Sequence, residues 1–198
     1  SVQIITYKHL PAVFYPKSTR GQMPPYWHSS RRGRPSRPTN LFNMKPQFMI
    51  DLGIDEGCLH WNVEGQFLAD TLSITQPRNI LEIGYFCGGS ASMLLHLSEA
   101  KLTSVDPMVN LYDPNVKHDG SIESVERLKN GFPDRFTFIQ KDSKLVRPDL
   151  VGQQFDLMFI DGDHRQIGIR NDFQLALDLN IPWVLVDDFV TSVLEVYQ

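Results

Sequence analysis

The sequence predicts an α/β domain, a doubly wound and mostly parallel sheet with helices on both faces, and two observations predict it. From Asn79 onward short apolar runs alternate with amphipathic stretches, and the first of those runs leads through a glycine-rich turn directly into a helical stretch. At 198 residues and 41% apolar content the chain can build one such domain with a real core, and is too short for two.

In chain order, residues 1–15 hold Ser1-Val-Gln-Ile-Ile-Thr-Tyr7 and His9-Leu-Pro-Ala-Val-Phe-Tyr15, expected to form two short strands, with Pro11 placing the second at an edge. Residues 1–50 carry eight Lys or Arg, no acid and seven of the thirteen prolines, whereas residues 51–198 carry eleven basic and twenty-three acidic side chains. The net charge of -4 therefore hides a difference of 20 between the two parts, +8 against -12. The run Arg31-Arg32-Gly33-Arg34, set among Pro24, Pro25, Pro35 and Pro38, excludes a regular helix or central strand. Residues 1–60 are expected to form a basic, Pro-rich arm, or a lid over the acidic domain of residues 61–198. The alternative is a nucleic-acid contact through residues 17–45, with phosphates neutralised by the basic side chains and bases stacked on Tyr26 and Trp27.

Within 61–198 the predicted strands are 79–83, 101–105, 136–140, 156–160 and 183–187, the short segments that alternate with helical stretches. The predicted helices are 64–74, 89–99, 121–131 and 166–179; Pro77 closes the first, and Gly131 with Pro133 closes the third. No stretch approaches the roughly 20 apolar residues of a membrane helix, and no signal-peptide pattern opens the chain. Cys58 and Cys87 lie far apart and outside any Cys-x-x-Cys pair, which argues against a disulfide framework or structural zinc and fits a reducing cytoplasm. A chain opening on Ser1 is expected to be a processed or excised piece, with a missing domain or a homo-oligomeric partner to be anticipated.

The densest chemical signal is Asn79-Ile-Leu-Glu-Ile-Gly-Tyr-Phe-Cys-Gly-Gly-Ser90. Open α/β sheets bind ligands at the carboxyl ends of their strands, where glycines admit a close backbone approach and a helix N-terminus offers N–H groups. The spacing Glu82-x-Gly84-x-x-x-Gly88-Gly89-Ser90 differs from the dinucleotide fingerprint. Glu82 would repel a pyrophosphate but suits a ligand with an ammonium and a sulfonium, so the loop favours S-adenosylmethionine over NAD. Asp106, about 20 residues past the turn, is placed to accept both ribose hydroxyls. Asp142, ending the third strand, is expected to read an adenine amino group or, with Ser143, to form a turn.

Downstream, Phe155-Asp156-Leu-Met-Phe-Ile-Asp161-Gly-Asp163-His164 and Trp183-Val-Leu-Val-Asp187-Asp188 each end an apolar strand in carboxylates. Neighbouring strands would bring Asp161, Asp187 and Asp188 together, and three carboxylates in one place call for a cation. An all-oxygen set suits magnesium, calcium or manganese rather than zinc. Such an ion would lower the pKa of an acceptor hydroxyl, and His164, three residues past Asp161, could take its proton. Asp163 is expected to cap the next helix or orient His164, and Asp172 to face solvent. His9, His28, His60, His96 and His118 have no comparable setting.

With these residues in place, the chain from about Val63 to Asp188 resembles the class I S-adenosylmethionine-dependent methyltransferases, a Rossmann-like fold, and especially the branch carrying Phe-Ile-Asp-Gly-Asp-His. The resemblance implies that Glu82, Gly84, Gly88 and Ser90 form the cofactor loop, Asp106 binds ribose, Asp142 lies at the adenine, and Glu64 lies near the methionine end. It implies metal ligation by Asp161, Asp187 and Asp188, as in metal-dependent sugar O-methyltransferases, with magnesium the expected ion. Two departures stand out: Leu179-Asn180-Ile181-Pro182 replaces the usual Lys-Pro-Gly-Gly turn, and the chain ends about ten residues after Asp188, before the family's antiparallel sixth and seventh strands. Those strands are expected to have been removed, to come from a partner, or to be replaced by residues 1–15. The leading reading is O-methylation of a small hydroxylated acceptor, followed by RNA methylation using the basic arm, and then by a non-catalytic cofactor-binding module of a larger protein. A hydrolase or hydroxylase of related fold is the remaining reading, because fold does not fix chemistry.

Overall fold

The structure, a computed structural model, describes residues 2–6, 47–53, 65–109 and 121–187. The expectations for the second N-terminal strand, the basic arm, Cys58, Glu64 and Asp188 fall outside these residues.

Strand β1 is Gln3–Thr6, followed by helices α1 (Gln47–Leu52) and α2 (Gln66–Thr75). The remaining elements are β2 (Asn79–Ile83), α3 (Gly89–Leu97), β3 (Lys101–Val105), α4 (Ser121–Gly131), β4 (Phe136–Ile139), α5 (Arg147–Leu150), β5 (Leu157–Ile160), α6 (Gln166–Asp178) and β6 (Trp183–Val186). Six strands form one sheet in the order β1-β6-β5-β2-β3-β4, every pairing parallel. The strands from β2 to β6 lie within one residue of their predicted bounds. At the start of β5 the difference has a cause: Asp156 precedes the strand, and its Oδ2 accepts the backbone N–H groups of Arg78 at 2.7 Å and Asn79 at 2.9 Å. That acid pins the entry of β2 instead of extending β5.

Alternate residues of each strand feed two cores, as strand geometry requires. Ile80, Leu102, Phe136, Leu157 and Phe159 pack with Met49, Leu68 and Leu72, with Met93, Leu94 and Leu95 of α3 and with Leu128 of α4. Leu81, Ile83, Val105, Met158 and Val184 pack on the opposite face with Val146, Leu150 and, from α6, Ile169, Phe173 and Ala176. The end of α3 is tied down by Arg135, whose guanidinium donates to Leu95 O at 2.9 Å and Ser98 O at 2.7 Å and sits 4.9 Å over the Phe132 ring. Those carbonyls would otherwise lack partners at the helix terminus.

The first of the two expected N-terminal strands forms, and it takes the sheet edge beyond β6 with Gln3 opposite Trp183. It runs parallel to β6, so it stands beside the fifth predicted strand without copying the antiparallel strands that the resemblance implies. Because all six strands point the same way, the segments after β2, β3, β4, β5 and β6 emerge at one edge, and every described residue proposed for the site follows or ends a strand there. Among the described residues no helix is long and apolar enough to cross a membrane.

Candidate active site at the carboxyl edge of the sheet

The glycine loop after β2 is shaped by contacts with the protein itself. Gly84 has φ +91°, and a Cβ there would lie 2.1 Å from the carbonyl oxygen of Asp161 and 2.8 Å from Cα of Gly162. Gly88 has φ +83°, and a Cβ there would lie 2.5 Å from Oη of Tyr85. The sequence places these glycines where a ligand must come close; the first close approach is to β5, the second to a buried tyrosine. Tyr85 is 2% exposed. Its ring lies edge-on to Phe138 at 5.1 Å, and its hydroxyl is 2.9 Å from Ser124 Oγ on α4. Burial pushes its hydroxyl pKa upward, so it stays protonated. Sequence reasoning passed over Tyr85, because a tyrosine inside a glycine turn is ordinarily read as exposed.

Glu82 is also buried beneath the loop: it is 0% exposed, and it accepts hydrogen bonds from Ser90 Oγ at 2.6 Å and from Ser104 Oγ. Ser90 opens α3 and Ser104 lies on β3, so this one carboxyl joins three elements. Burial raises its pKa from 4.5 to about 7, against the two serine hydrogen bonds, with the Asp106 charge adding to the rise. The folded state therefore holds this proton more tightly than the unfolded chain does. The associated stability is fully present below about pH 4.5 and is lost as pH rises to about 7, a fall of about 3 kcal/mol. Urea midpoints measured from pH 4 to 8 should show this decline, and Glu82→Gln should make it shallower. A decline of equal depth in the variant would assign the titration to another group. Asp172, raised from 3.8 to about 6 by burial, acts in the same direction, so wild type should be more stable at mildly acidic than at neutral pH.

Asp106, at the end of β3, is bound to the loop by its carboxylate. Oδ2 accepts the N–H groups of Tyr85 at 2.8 Å and Phe86 at 3.1 Å, and Oδ1 accepts that of Met108 at 2.6 Å. A carboxylate offers about four acceptor positions, so about one is left for a ribose hydroxyl while the loop stays intact. Accepting both hydroxyls would require giving up a backbone N–H. Phe86, 43% exposed, occupies left-handed backbone at φ 48°, which costs a non-glycine residue about 1–2 kcal/mol. The hydrogen bond to Asp106 helps to hold it there.

Asp142 forms the turn that its pairing with Ser143 suggested: Oδ1 accepts the N–H of Lys144 at 2.9 Å and caps a single 3-10 turn over Ser143–Leu145. Asp163 is 8% exposed and is gripped by Arg165 through Nε to Oδ1 and Nη2 to Oδ2, both 2.7 Å. Those hydrogen bonds hold its carboxyl below the ordinary range. It was expected to cap the next helix or orient His164; the N-cap of α6 is instead Arg165, with no side-chain cap. Asp172 was expected to face solvent and is 0% exposed, on the inner face of α6.

At the end of β5, Oδ1 of Asp161 and Nε2 of His164 are 3.6 Å apart, each side chain about one-third exposed. Asp187 ends the neighbouring strand, its N–H donating to Ile160 O at 3.0 Å, which puts Asp161 and Asp187 side by side at the strand ends. The glycine loop adjoins them, since β2 pairs with β5 and Gly84 touches Asp161. Asp188 lies outside the described residues, and among those residues no three His, Cys, Asp or Glu side chains form a group that could hold a metal ion. Of the three predicted ligands, Asp161 and Asp187 are neighbours in the register of β5 and β6, and no metal-holding group forms around them among the described residues.

A parallel sheet wound on both faces, a glycine loop after its central strand, an acid holding that loop and further acids along the same edge are the features that carry the resemblance to class I S-adenosylmethionine-dependent methyltransferases. A family model described as a methyltransferase domain matches residues 81–189, 109 of the 198, and the chain belongs to that family. It is 30% identical over 102 residues to uncharacterised protein R132 of Acanthamoeba polyphaga mimivirus, a match covering 48% of this chain and 43% of that protein. Its fold is similar to that of the S-adenosylhomocysteine-bound Podospora anserina methyltransferase PaMTH1, with TM-score 0.53 and 20% identity over 73% of this chain and 62% of the other. It is also similar to an O-methyltransferase from Bacillus cereus in complex with S-adenosylhomocysteine, with TM-score 0.51 and 23% identity over 71% of this chain and 64% of the other. The chain spans less than two-thirds of each of these proteins.

Proposed function

We infer that the chain binds S-adenosylmethionine along this edge and transfers its methyl group to an oxygen of a small hydroxylated acceptor, with a divalent metal, magnesium by expectation, assisting. The observation that carries this reading is one juxtaposition: the loop held by Asp106 adjoins β5 at Asp161, and Asp161 stands beside His164 and Asp187. The S-adenosylhomocysteine in the two solved relatives supports the choice of cofactor. Asp161 and Asp187, completed by Asp188, would hold the metal, which when bound supplies a Lewis acid that lowers the pKa of the acceptor hydroxyl. His164 would accept the hydroxyl proton, and Asp161 would stabilise the imidazolium so formed. The acceptor oxygen then forms its bond to the methyl carbon as the carbon–sulfur bond breaks, the electron pair returning to sulfur. Asp106 would take one ribose hydroxyl, and Asp142 would face the adenine amino group.

Calorimetric titration with S-adenosylhomocysteine, with and without magnesium, tests the reading without knowledge of the acceptor. Micromolar affinity, about -8 kcal/mol, is expected. Asp106→Ala should weaken that binding at least tenfold, whereas Asp187→Ala should leave it unchanged and remove magnesium-dependent turnover of a hydroxylated acceptor. Equal loss of affinity in both variants would overturn this division of roles. The charge of residues 1–50 favours the RNA reading as the second, which predicts RNA binding that strengthens steeply as salt falls. Cofactor binding without turnover of any acceptor would instead mark a non-catalytic module.

A further inference from the structure

Asp172 takes no part in the chemistry above, yet it occupies a position that packing alone would give to an apolar residue. It shares the inner face of α6 with Ile169, Phe173 and Ala176, and it is 0% exposed. Its Oδ2 is buried with no hydrogen-bond partner among the described residues. A buried polar oxygen without a partner is costly to keep. The contacts of Asp172 converge on one residue of the cofactor edge. Nδ2 of Asn171 donates to Oδ1 of Asp172 at 3.3 Å and to Oγ of Ser143 at 3.5 Å, so Asn171 bridges the buried carboxyl and the serine hydroxyl. Ser143 begins the 3-10 turn that Asp142 caps, at the end of β4. The surrounding charges are Asp142 and Lys144 on that turn and Asp163 and Arg165 on the loop after β5, where Arg165 pairs with Asp163.

We propose that Asp172 is a positioning residue for the cofactor: through Asn171 and Ser143 it anchors the Asp142 turn to α6, and so fixes the carboxylate that distinguishes adenine from other purines. This rests on the reading of Asp142 as the adenine-facing acid. Oδ1 of Asp142 is already committed to Lys144 N–H, which leaves Oδ2 to meet an amino group, and a single directional contact of that kind is lost when the turn shifts by a fraction of a hydrogen-bond length.

The test compares the affinity of the full chain for S-adenosylhomocysteine and for S-inosylhomocysteine, in which a carbonyl replaces the 6-amino group. Wild type should prefer the adenosine compound about tenfold, the scale of one hydrogen bond to a charged group. Asp172→Ala and Ser143→Ala should reduce that preference to about twofold or less while leaving affinity for the inosine compound unchanged. Asp172→Asn, which keeps the acceptor oxygen, should retain the preference. Asp172→Ala and Ser143→Ala that still discriminate tenfold would overturn the proposal and leave Asp172 a purely structural role. Wild type without any preference would overturn the adenine reading of Asp142 itself, and Asp142→Ala separates the two failures, since it must abolish discrimination if that reading holds. Should Asp172→Ala fail to fold, Ser143→Ala decides, because it cuts the same tie without altering the buried helix face.

Discussion

Gly84→Ala is expected to lower stability by about 4 kcal/mol and the melting temperature by about 10 °C, with Gly152→Ala as its control. Both glycines have nearly the same backbone, φ +91° and +86°, so both substitutions carry the conformational cost of a side chain in that region, about 1–2 kcal/mol. They differ in surroundings. A Cβ at 152 has nothing within 4 Å, whereas one at 84 would lie 2.1 Å from the carbonyl oxygen and 2.5 Å from the carbonyl carbon of Asp161. Those atoms belong to the backbone at the end of β5 and cannot rotate away, so β2 and β5 must separate where their carboxyl ends meet. Asp161 moves with its own carbonyl, and the variant should lose whatever activity depends on that carboxylate even where it still folds. Equal thermal shifts in the two variants would show that φ alone sets the cost and that the close approach of the two strands is relaxed in solution.

The strands β2, β5 and β6 were legible because each is a short apolar run buried on both faces of the sheet, while β3 and the edge strand β4 mix apolar and polar residues and were legible from the alternation with helical stretches. The acid pair at the ends of β5 and β6 was legible for a related reason: neighbouring parallel strands that end in carboxylates must bring them to one edge. Other features depend on contacts that no local pattern encodes. The parallel pairing of β1 with β6 joins residues about 180 apart in sequence, and α1 and α5, six and four residues long, are too short to show an apolar stripe. Asp172 is instructive because a signal was available. Ile169, Asp172, Phe173 and Ala176 follow the i, i+3, i+4, i+7 spacing of one buried face, so the neighbours mark the position as buried whatever its charge. Glu82 shows the converse. Its place at a strand end suggests an exposed carboxylate, but it is buried, and each of its oxygens accepts a hydrogen bond from a serine eight or twenty-two residues further on. Sequence spacing alone does not reveal that Ser104 sits opposite Glu82 in the register of β2 and β3.

His164→Ala should slow methyl transfer by roughly 10²- to 10⁴-fold while leaving S-adenosylhomocysteine affinity unchanged. The geometry behind this expectation is the Asp161–His164 pair: Nε2 stands 3.6 Å from a carboxylate oxygen, outside ordinary hydrogen-bond range. The same carboxylate is a candidate metal ligand, so two routes to a deprotonated acceptor compete at one residue. If His164 removes the proton, its loss should depress kcat far more than KM, the defect should shrink for acceptors of lower hydroxyl pKa, and added imidazole should restore part of the rate. If the metal alone lowers the acceptor pKa enough, His164→Ala should turn over at nearly the wild-type rate, while Asp187→Ala remains inactive. Asp161→Asn distinguishes a shared role from a divided one: it should lose magnesium dependence and the histidine's assistance together, and adding His164→Ala to it should then cost much less than in wild type.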